Sequence, residues 1–442
     1  VSIENAKENL ENESINEDFK TYKQTTEAAW DFNLSKIIVE SANKDRKTQF
    51  YTNLYHALIH PNIVSDVNGE YMGADFKVHK TNLEAQYSSF SVWDTYRTQA
   101  QLLAILFPKQ SSDMMQSLVD FADQSGGFGR WILANIETGI MQGDPTPILI
   151  SNSYVFGATN FDFKKAYYHM KNGATIPLLY SQDKEIRPYL TEYLRDGHTF
   201  ASMMLEYTSS DFAIGQFALQ ALNLEEDALH FKERAQNWKN IYNPNNKWLN
   251  SKYPNNNWKD IDQDWREATY KNYFWMVPYN LETLINTIGG SDVAENRLDS
   301  FFKRLDASYD DDWFAAGNEP NFQAPWIYNW TDAAYKTTEV VHRIFNEMYS
   351  SEPNGLPGND DLGSMGSWYV FASIGLYPMI PGVAGFSINT PQFEKVTINL
   401  PLGQLTITGG STNNNYISSI KVNGRTINPL GVIGILLEME GF

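Results

Sequence analysis

Between about residues 25 and 380, apolar side chains recur at three- and four-residue spacing, the period of helices that each bury one face. TEAAWDFNLSKIIVESANK, DRKTQFYTNLYHALI, FSVWDTYRTQAQLLAILF, SDMMQSLVDFADQS, DFAIGQFALQALN, EEDALHFKERAQNWKNIY and DAAYKTTEVVHRIFNEMYS each predict a helix. Ser112 with Gln116, and Asn223 before LEEDALHF, read as helix starts. After about residue 384 the period becomes two. FSINTPQFEKVTINLPLGQLTITGGSTNNNYISSIKVNGRTINP alternates apolar and polar residues, is rich in Ile, Val and Thr, and carries turn signals at LG, GGS and NG. That pattern predicts a small antiparallel β element. Many helices in succession with few strands predict paired helices, as a barrel or a bundle-like solenoid. Two long loops, 245–266 and 307–330, carry Trp, Asn, Asp and Gly, and structured loops of that length are usually functional.

Composition narrows the function classes. The 442 residues carry a formal charge of −19, and Lys and Arg are scattered, so no basic face is available for nucleic acid. No apolar run is long enough to span a membrane and no signal peptide is visible. Cys is absent, which removes disulfides, thiolate metal sites and thiol nucleophiles, and fits an exported bacterial protein as well as a cytosolic one. Aromatics make up 14% of the chain, and many stand beside polar residues, as in WDTYR, GRW, DWREATY, APWIYNW and GSWYVF. Sugar rings present C–H faces to aromatics and hydroxyls to carboxylates and amides, so this mixture suits a carbohydrate site as well as a packed core.

Candidate chemistry concentrates in three places. The stretch Gly355–Pro381 has a Gly-Leu-Pro-Gly turn, then Asp360 and Asp361, then an apolar run that reads as a buried helix. By themselves the two aspartates read first as helix caps. Glycosidic cleavage needs a carboxylic acid for the leaving oxygen and a carboxylate across the ring. Glu267 in DWREATYKNYFWMVPYN, among aromatic residues that would raise its pKa, is a candidate acid and equally a helix-terminal carboxylate. Glu319 in GNEPNFQAPWIYNW sits in an oxygen-rich, proline-stiffened loop that could meet a hard cation or sugar hydroxyls. Asp94 and Arg97 in WDTYR read as an intrahelical ion pair or a sugar clamp. No HExxH, EF-hand, P-loop, dinucleotide fingerprint or Ser-His-Asp elbow is present.

Taken in order, YHALIHPNIVSDVNGEY, FSVWDTYRTQAQLL, GGFGRW, MQGDPTPILISNSY, LEYTSSDFAIGQFA, the Glu267 segment, GNEPNFQAPWIYNW and GLPGNDDLGSMGSWYVFASIGLYP resemble glycoside hydrolase family 92, the calcium-dependent exo-α-mannosidases. The resemblance implies a mainly α protein, an (α/α)6 barrel at 26–383 behind a helical linker at 1–25, with a small antiparallel β segment at 384–442. The family's N-terminal β-sandwich domain has no counterpart ahead of the barrel, and the chain opens on Val1 as though an upstream domain had been removed. It implies inverting hydrolysis of mannose-containing glycans, Ca²⁺ as cofactor, and a secreted, periplasmic or cell-surface location in a bacterium. By carry-over, Glu267 matches the general acid, and Asp361, with Asp360 beside it, the carboxylates around the general base. Trp93, Asp94, Arg130 and Trp131 match the pocket for the terminal mannose, Glu319 the adjoining subsite, and Asn321 and Gln323 the calcium shell. Asn318 stands where members cutting α-1,2 bonds often carry His, which leaves linkage open. A metal-independent (α/α)6 glycosidase and a non-catalytic mannose-binding protein remain as alternatives.

Overall fold

Some helices are buried on every side rather than on one face. In the computed structural model, which describes residues 1–14 and 18–427, every residue of Gln99–Leu106 and Ser364–Ile374 is buried. Thr146–Val155 and Ala201–Leu222 are nearly so. A helix apolar all round belongs inside a larger assembly, and these four form an inner layer. Gln99–Leu106 packs on Thr146–Val155, which packs on Ala201–Leu222, while Ser364–Ile374 packs on Gln99–Leu106 and on Lys44–Ala57. Amphipathic helices such as Pro108–Ser125, Phe163–Thr175 and Glu225–Arg234 cover that layer from outside. The architecture is an (α/α)6 barrel. No helix among the described residues is long and apolar enough to cross a membrane.

The last helix docks by close approach. A Cβ on Gly366 would come within 2.6 Å of the Asn53 carbonyl oxygen, so only glycine lets Ser364–Ile374 lie this near Lys44–Ala57. The inner helix Ala201–Leu222 carries only two charges, Glu206 and Asp211, and both are buried. Asp211 accepts from Arg187 at 2.8 Å, from Arg234 at 2.6 Å and from the Tyr193 hydroxyl at 2.9 Å. Arg187 also donates to Asp144 at 2.8 Å. A charge taken from water is tolerated only when paired in this way.

Several sequence expectations change. TEAAWDFNLSKIIVESANK is not one helix: Phe19–Leu34 ends and Ile37–Glu40 becomes a strand. Its β-branched Ile-Ile-Val pairs antiparallel with Lys395–Leu400, Ile37 opposite Ile398, and Gly403–Thr408 completes a three-stranded sheet. The sheet thus joins chain from both sides of residue 384. FSVWDTYRTQAQLLAILF also divides, because Thr98 at φ +122° separates Val92–Thr95 from Gln99–Leu106. Ser112 lies inside a helix that begins at Pro108, and Asn223, at φ +56°, ends Ala201–Leu222 rather than starting the next helix. At the start of the chain, helix Ile3–Glu13 docks on the barrel through Asn5 and Asn9, which donate to Asp66 at 2.8 and 2.7 Å. The residues expected as a helical linker, 1–25, thus hold a docked helix and the start of one that runs on to Leu34. Residues 428–442 of the expected β segment lie outside the described residues, as do 15–17.

Candidate active site

Asp94, Glu319 and Asp361 come from distant parts of the chain, yet one oxygen of each lies within 4.8 Å of the others. Each is delivered by a break in regular structure. Asp94 sits in the short turn Val92–Thr95, set off by the kink at Thr98. Glu319 opens the 3-10 turn Glu319–Asn321, with Pro320 stiffening its second position. Asp361 stands at φ +48°, followed by Leu362 at +58° and Gly363 at +96°, just before Ser364–Ile374. Three successive residues in the left-handed region, one of them leucine, are costly, and such strain collects where a side chain must be aimed. The loops bearing Glu319 and Asp361 touch at their glycines, since a Cβ on Gly317 would meet the Pro357 carbonyl oxygen at 2.6 Å.

The neighbouring aspartates have different tasks. Asp360 accepts from the backbone N–H groups of Gly363 at 2.8 Å and Gly366 at 3.0 Å, so it caps the last helix. Asp361 instead offers its carboxyl to the cluster and has its peptide carbonyl held by the Ser91 hydroxyl at 3.2 Å. Asp360, expected beside the base, is placed as a cap whose charge bears on Asp361. Burial, then the Asp360 charge, lifts the Asp361 carboxyl to about 6, against a hydrogen bond from Glu319. Burial, then the Asp361 charge, lifts Asp94 to about 8. Burial, then Asp94 and Asp361, pushes Glu319 well above the usual carboxylate range. Three carboxyls this close cannot all ionise together, so they hold protons in common.

Glu267 is half-buried, at φ +52°, and its carboxyl makes no hydrogen bond among the described residues. Its backbone is braced on every side. Asn318 donates to the Glu267 carbonyl at 2.9 Å, the Ser202 hydroxyl accepts the Arg266 N–H at 3.1 Å, and Thr269 and Asn272 form a capping box immediately after. Its charge reaches Asp361. The segment is therefore rigid while its carboxyl stays free.

The walls differ from expectation. Trp131 is half-buried and donates its Nε1–H to Asp94 at 3.2 Å, which places it at the cluster. Trp93 is 1% exposed and donates to Glu206 at 3.0 Å, so its ring is scaffold beneath the site and offers a sugar no face. Arg97 does not pair with Asp94 either; it donates to Glu206 at 2.7 Å and lies over the Trp93 and Tyr96 rings. Arg130 turns its guanidinium to the Glu185 carbonyl, while Glu137 gathers the Arg130 and Trp131 N–H groups at 2.9 and 3.3 Å. Asn321 accepts the Ala315 N–H at 3.3 Å. Gln323 donates to the Pro320 carbonyl at 2.8 Å and lines a cavity of about 30 Å³ with Tyr96, Arg97 and Gln101. Sequence reasoning passed over Glu206, although a lone carboxylate amid Ser-Met-Met-Leu in a helix that otherwise looks buried is itself a signal.

A divalent cation fits the cluster on its own chemistry. The donors are hard oxygens, and Oε1 of Glu319 is buried with no hydrogen-bond partner among the described residues. A helical barrel whose irregular loops bring carboxyls and a tryptophan together at one place has the build of a glycoside hydrolase catalytic domain.

The chain belongs to glycosyl hydrolase family 92, whose catalytic-domain model matches residues 5–435. It superimposes on a family 92 α-mannosidase from Bacteroides thetaiotaomicron with a TM-score of 0.88 and 28% identity, covering 97% of this chain and 58% of that one. A family 92 inverting mannosidase from the same organism gives 0.88 at 24% identity, covering 97% and 62%, and there the likeness concerns fold alone. An uncharacterised secreted glycosidase of Arthroderma benhamiae is 25% identical over 481 aligned positions, 96% of this chain and 56% of its own length. The chain thus spans rather less than two thirds of the relatives it matches.

Proposed function

We propose that the protein is an exo-acting α-mannosidase that removes terminal α-mannosyl residues from glycans with inversion, assisted by Ca²⁺. One observation carries this reading: Asp94 and Glu319 are buried and Asp360, though part-exposed, is held by the Gly363 and Gly366 N–H groups, which leaves Glu267 and Asp361, both part-exposed and both on left-handed backbone. Accessibility selects them as the reacting pair, while Asp94 and Glu319, each 3% exposed, form the floor. Asp361 takes a proton from a water as its oxygen attacks the anomeric carbon. Glu267 gives its proton to the glycosidic oxygen as the bond from that carbon breaks, so the sugar leaves as the β-anomer and the aglycone as an alcohol. Asp94, steadied by Trp131, accepts from mannose hydroxyls. Asp94 and Glu319 are the residues that would hold Ca²⁺, with Asn321 and Gln323 on the same loop as Glu319. Bound there, the ion would neutralise the cluster and give the sugar hydroxyls a hard electrophilic partner. Like its secreted relative, the protein is placed outside the cytoplasm in this reading.

The test is hydrolysis of α-1,2-, α-1,3-, α-1,4- and α-1,6-mannobiose in Ca²⁺ and in EDTA, followed by proton NMR. Release of β-mannose first, lost in EDTA and restored by Ca²⁺, is the expected result. α-Mannose as first product would overturn inversion, and undiminished release in EDTA would remove the metal. Binding of mannobiose by the intact protein without release would overturn the enzymatic reading.

A further inference from the structure

Tyr309 is 58% exposed and its side chain makes no hydrogen bond or ring contact among the described residues, on a segment that is otherwise well tied. It lies at the tip of an excursion closed by the bridge between Asp306 and Ala315. The tip is a tight turn: Asp311 accepts from the Ser308 N–H at 3.0 Å and hydroxyl at 2.8 Å, and its N–H returns to the Ser308 carbonyl at 3.2 Å. The stem is stiffened by Trp313, which donates to Asp306 at 3.1 Å and lies under the Arg304 guanidinium.

The excursion is fastened to the segment that carries Glu267. Lys271 donates to Asp312 at 2.7 Å, and Asn272 donates to the Trp313 carbonyl at 2.6 Å. Beyond the stem the chain runs directly into Asn318, which holds the Glu267 carbonyl. Tip and acid therefore share one scaffold. The phenol also feels the pocket: the Glu267 charge first, then burial, then Glu319 and Asp361, push its pKa up. The ring thus stands in water on a tied-down backbone shared with the acid, its faces open to a ligand.

The acid defines which side this is. A general acid faces the glycosidic oxygen, so an exposed ring on the scaffold that carries the acid is offered to the leaving group rather than to the terminal mannose. We propose that Tyr309 is the stacking platform for the leaving-group sugar, taking a pyranose by its C–H face. The inference rests on the mannosidase reading and deepens it, because it says which part of the glycan this chain recognises beyond the mannose it releases.

Calorimetric titration of the intact protein in Ca²⁺ with methyl α-mannoside and with S-linked α-mannobiosides isolates the leaving-group contribution. Wild type is expected to prefer a thiodisaccharide, and Tyr309→Ala to erase about five- to tenfold of that preference, the size of a ring contact. Tyr309→Phe is expected to keep the preference. Turnover of α-mannosyl fluoride, which has no leaving-group sugar, should stay within about twofold in both variants. If wild type binds mannosides but Tyr309→Ala keeps the preference, or if the fluoride suffers equally, the platform is refuted and the mannosidase reading stands. If wild type binds no mannoside, the reading itself fails and takes the platform with it.

Discussion

Asp361→Asn should destroy catalysis and yet stabilise the fold, and Asp360→Ala, one residue away, should do the reverse to stability. The Asp361 carboxyl is raised from 3.8 to about 6, first by burial and then by the Asp360 charge. At 1.36 kcal/mol per pKa unit this corresponds to about 3 kcal/mol of unfavourable charging above pH 6. The carboxyl is partly open to water and shares a proton with Glu319, so about 1–2 kcal/mol is the realistic share. The sign follows from the raised value. The group's contribution to stability is fully present below about pH 4 and is lost as pH rises through about 6, so wild type carries the strain at neutral pH. Asn removes the charge, still accepts a hydrogen bond, and tolerates the φ of +48° better than most residues. Asp360→Ala instead leaves the Gly363 and Gly366 N–H groups without their acceptor and should cost about 1 kcal/mol, less whatever the loss of its charge returns to Asp361. Urea unfolding followed by tryptophan fluorescence, in EDTA at pH 4.5, 6 and 7.5, measures both. The expected result is Asp361→Asn above wild type at pH 7.5 and converging on it at pH 4.5. An Asp361→Asn protein less stable than wild type at pH 7.5, or a gain of equal size at pH 4.5, would refute the reasoning.

Other outcomes follow from the same geometry. Glu267→Gln should lower kcat on mannobiose by about 10²–10⁴-fold with an unchanged unfolding midpoint, and should spare α-mannosyl fluoride, whose leaving group needs no proton. The base has to be ionised, so kcat/KM should fall as pH drops through about 6, and a flat profile between pH 5 and 7 would dismiss Asp361 as the base. Glu206→Gln leaves the Arg97 guanidinium buried without its carboxylate and should cost about 3 kcal/mol in urea unfolding, whereas a loss under about 1 kcal/mol would show the pair is not needed. Asn318→Leu removes the donor to the Glu267 carbonyl and should slow mannobiose far more than the fluoride.

The sequence made some of this legible and withheld the rest for physical reasons. Helical period, the late turn to alternation, and the carboxyls Asp94, Glu267, Glu319 and Asp361 could all be read in one dimension. Side-chain direction could not. Trp93 and Trp131 are both tryptophans in aromatic, polar surroundings, yet one is sealed beneath the site and the other stands at it. Asp360 and Asp361 are the same residue in adjacent positions, and only the reversal of φ after Asp360 sends one to the helix and the other to the cluster. The strand Ile37–Glu40 was hidden because it is short, follows a helix directly, and finds its partner at Lys395–Leu400, where pairing rather than local pattern decides the state.

The features that burden this fold are also what would make it work. Asp94, Glu319 and Asp361 crowd together with Glu267's charge in reach, and the nearby Arg97 guanidinium is already committed to Glu206. Glu267, Asp361 and Leu362 stand on disfavoured backbone. Left to relax, such a cluster would spread into water or collapse into caps, as Asp360 has done. It persists because Ser364–Ile374 and Ala201–Leu222 are buried all round and because Asn318, Ser91 and Ser202 hold the loops from outside. The excess negative charge then has two ways to be relieved: protons, which the raised pKa values of Asp94, Glu319 and Asp361 already record, and cations. Glycosidic cleavage passes through a sugar with positive charge at its anomeric carbon. The negative charge that protons and cation leave uncompensated, on the ionised base above all, stabilises that state more than the neutral substrate, and fixed charges need no reorganisation when the charge appears.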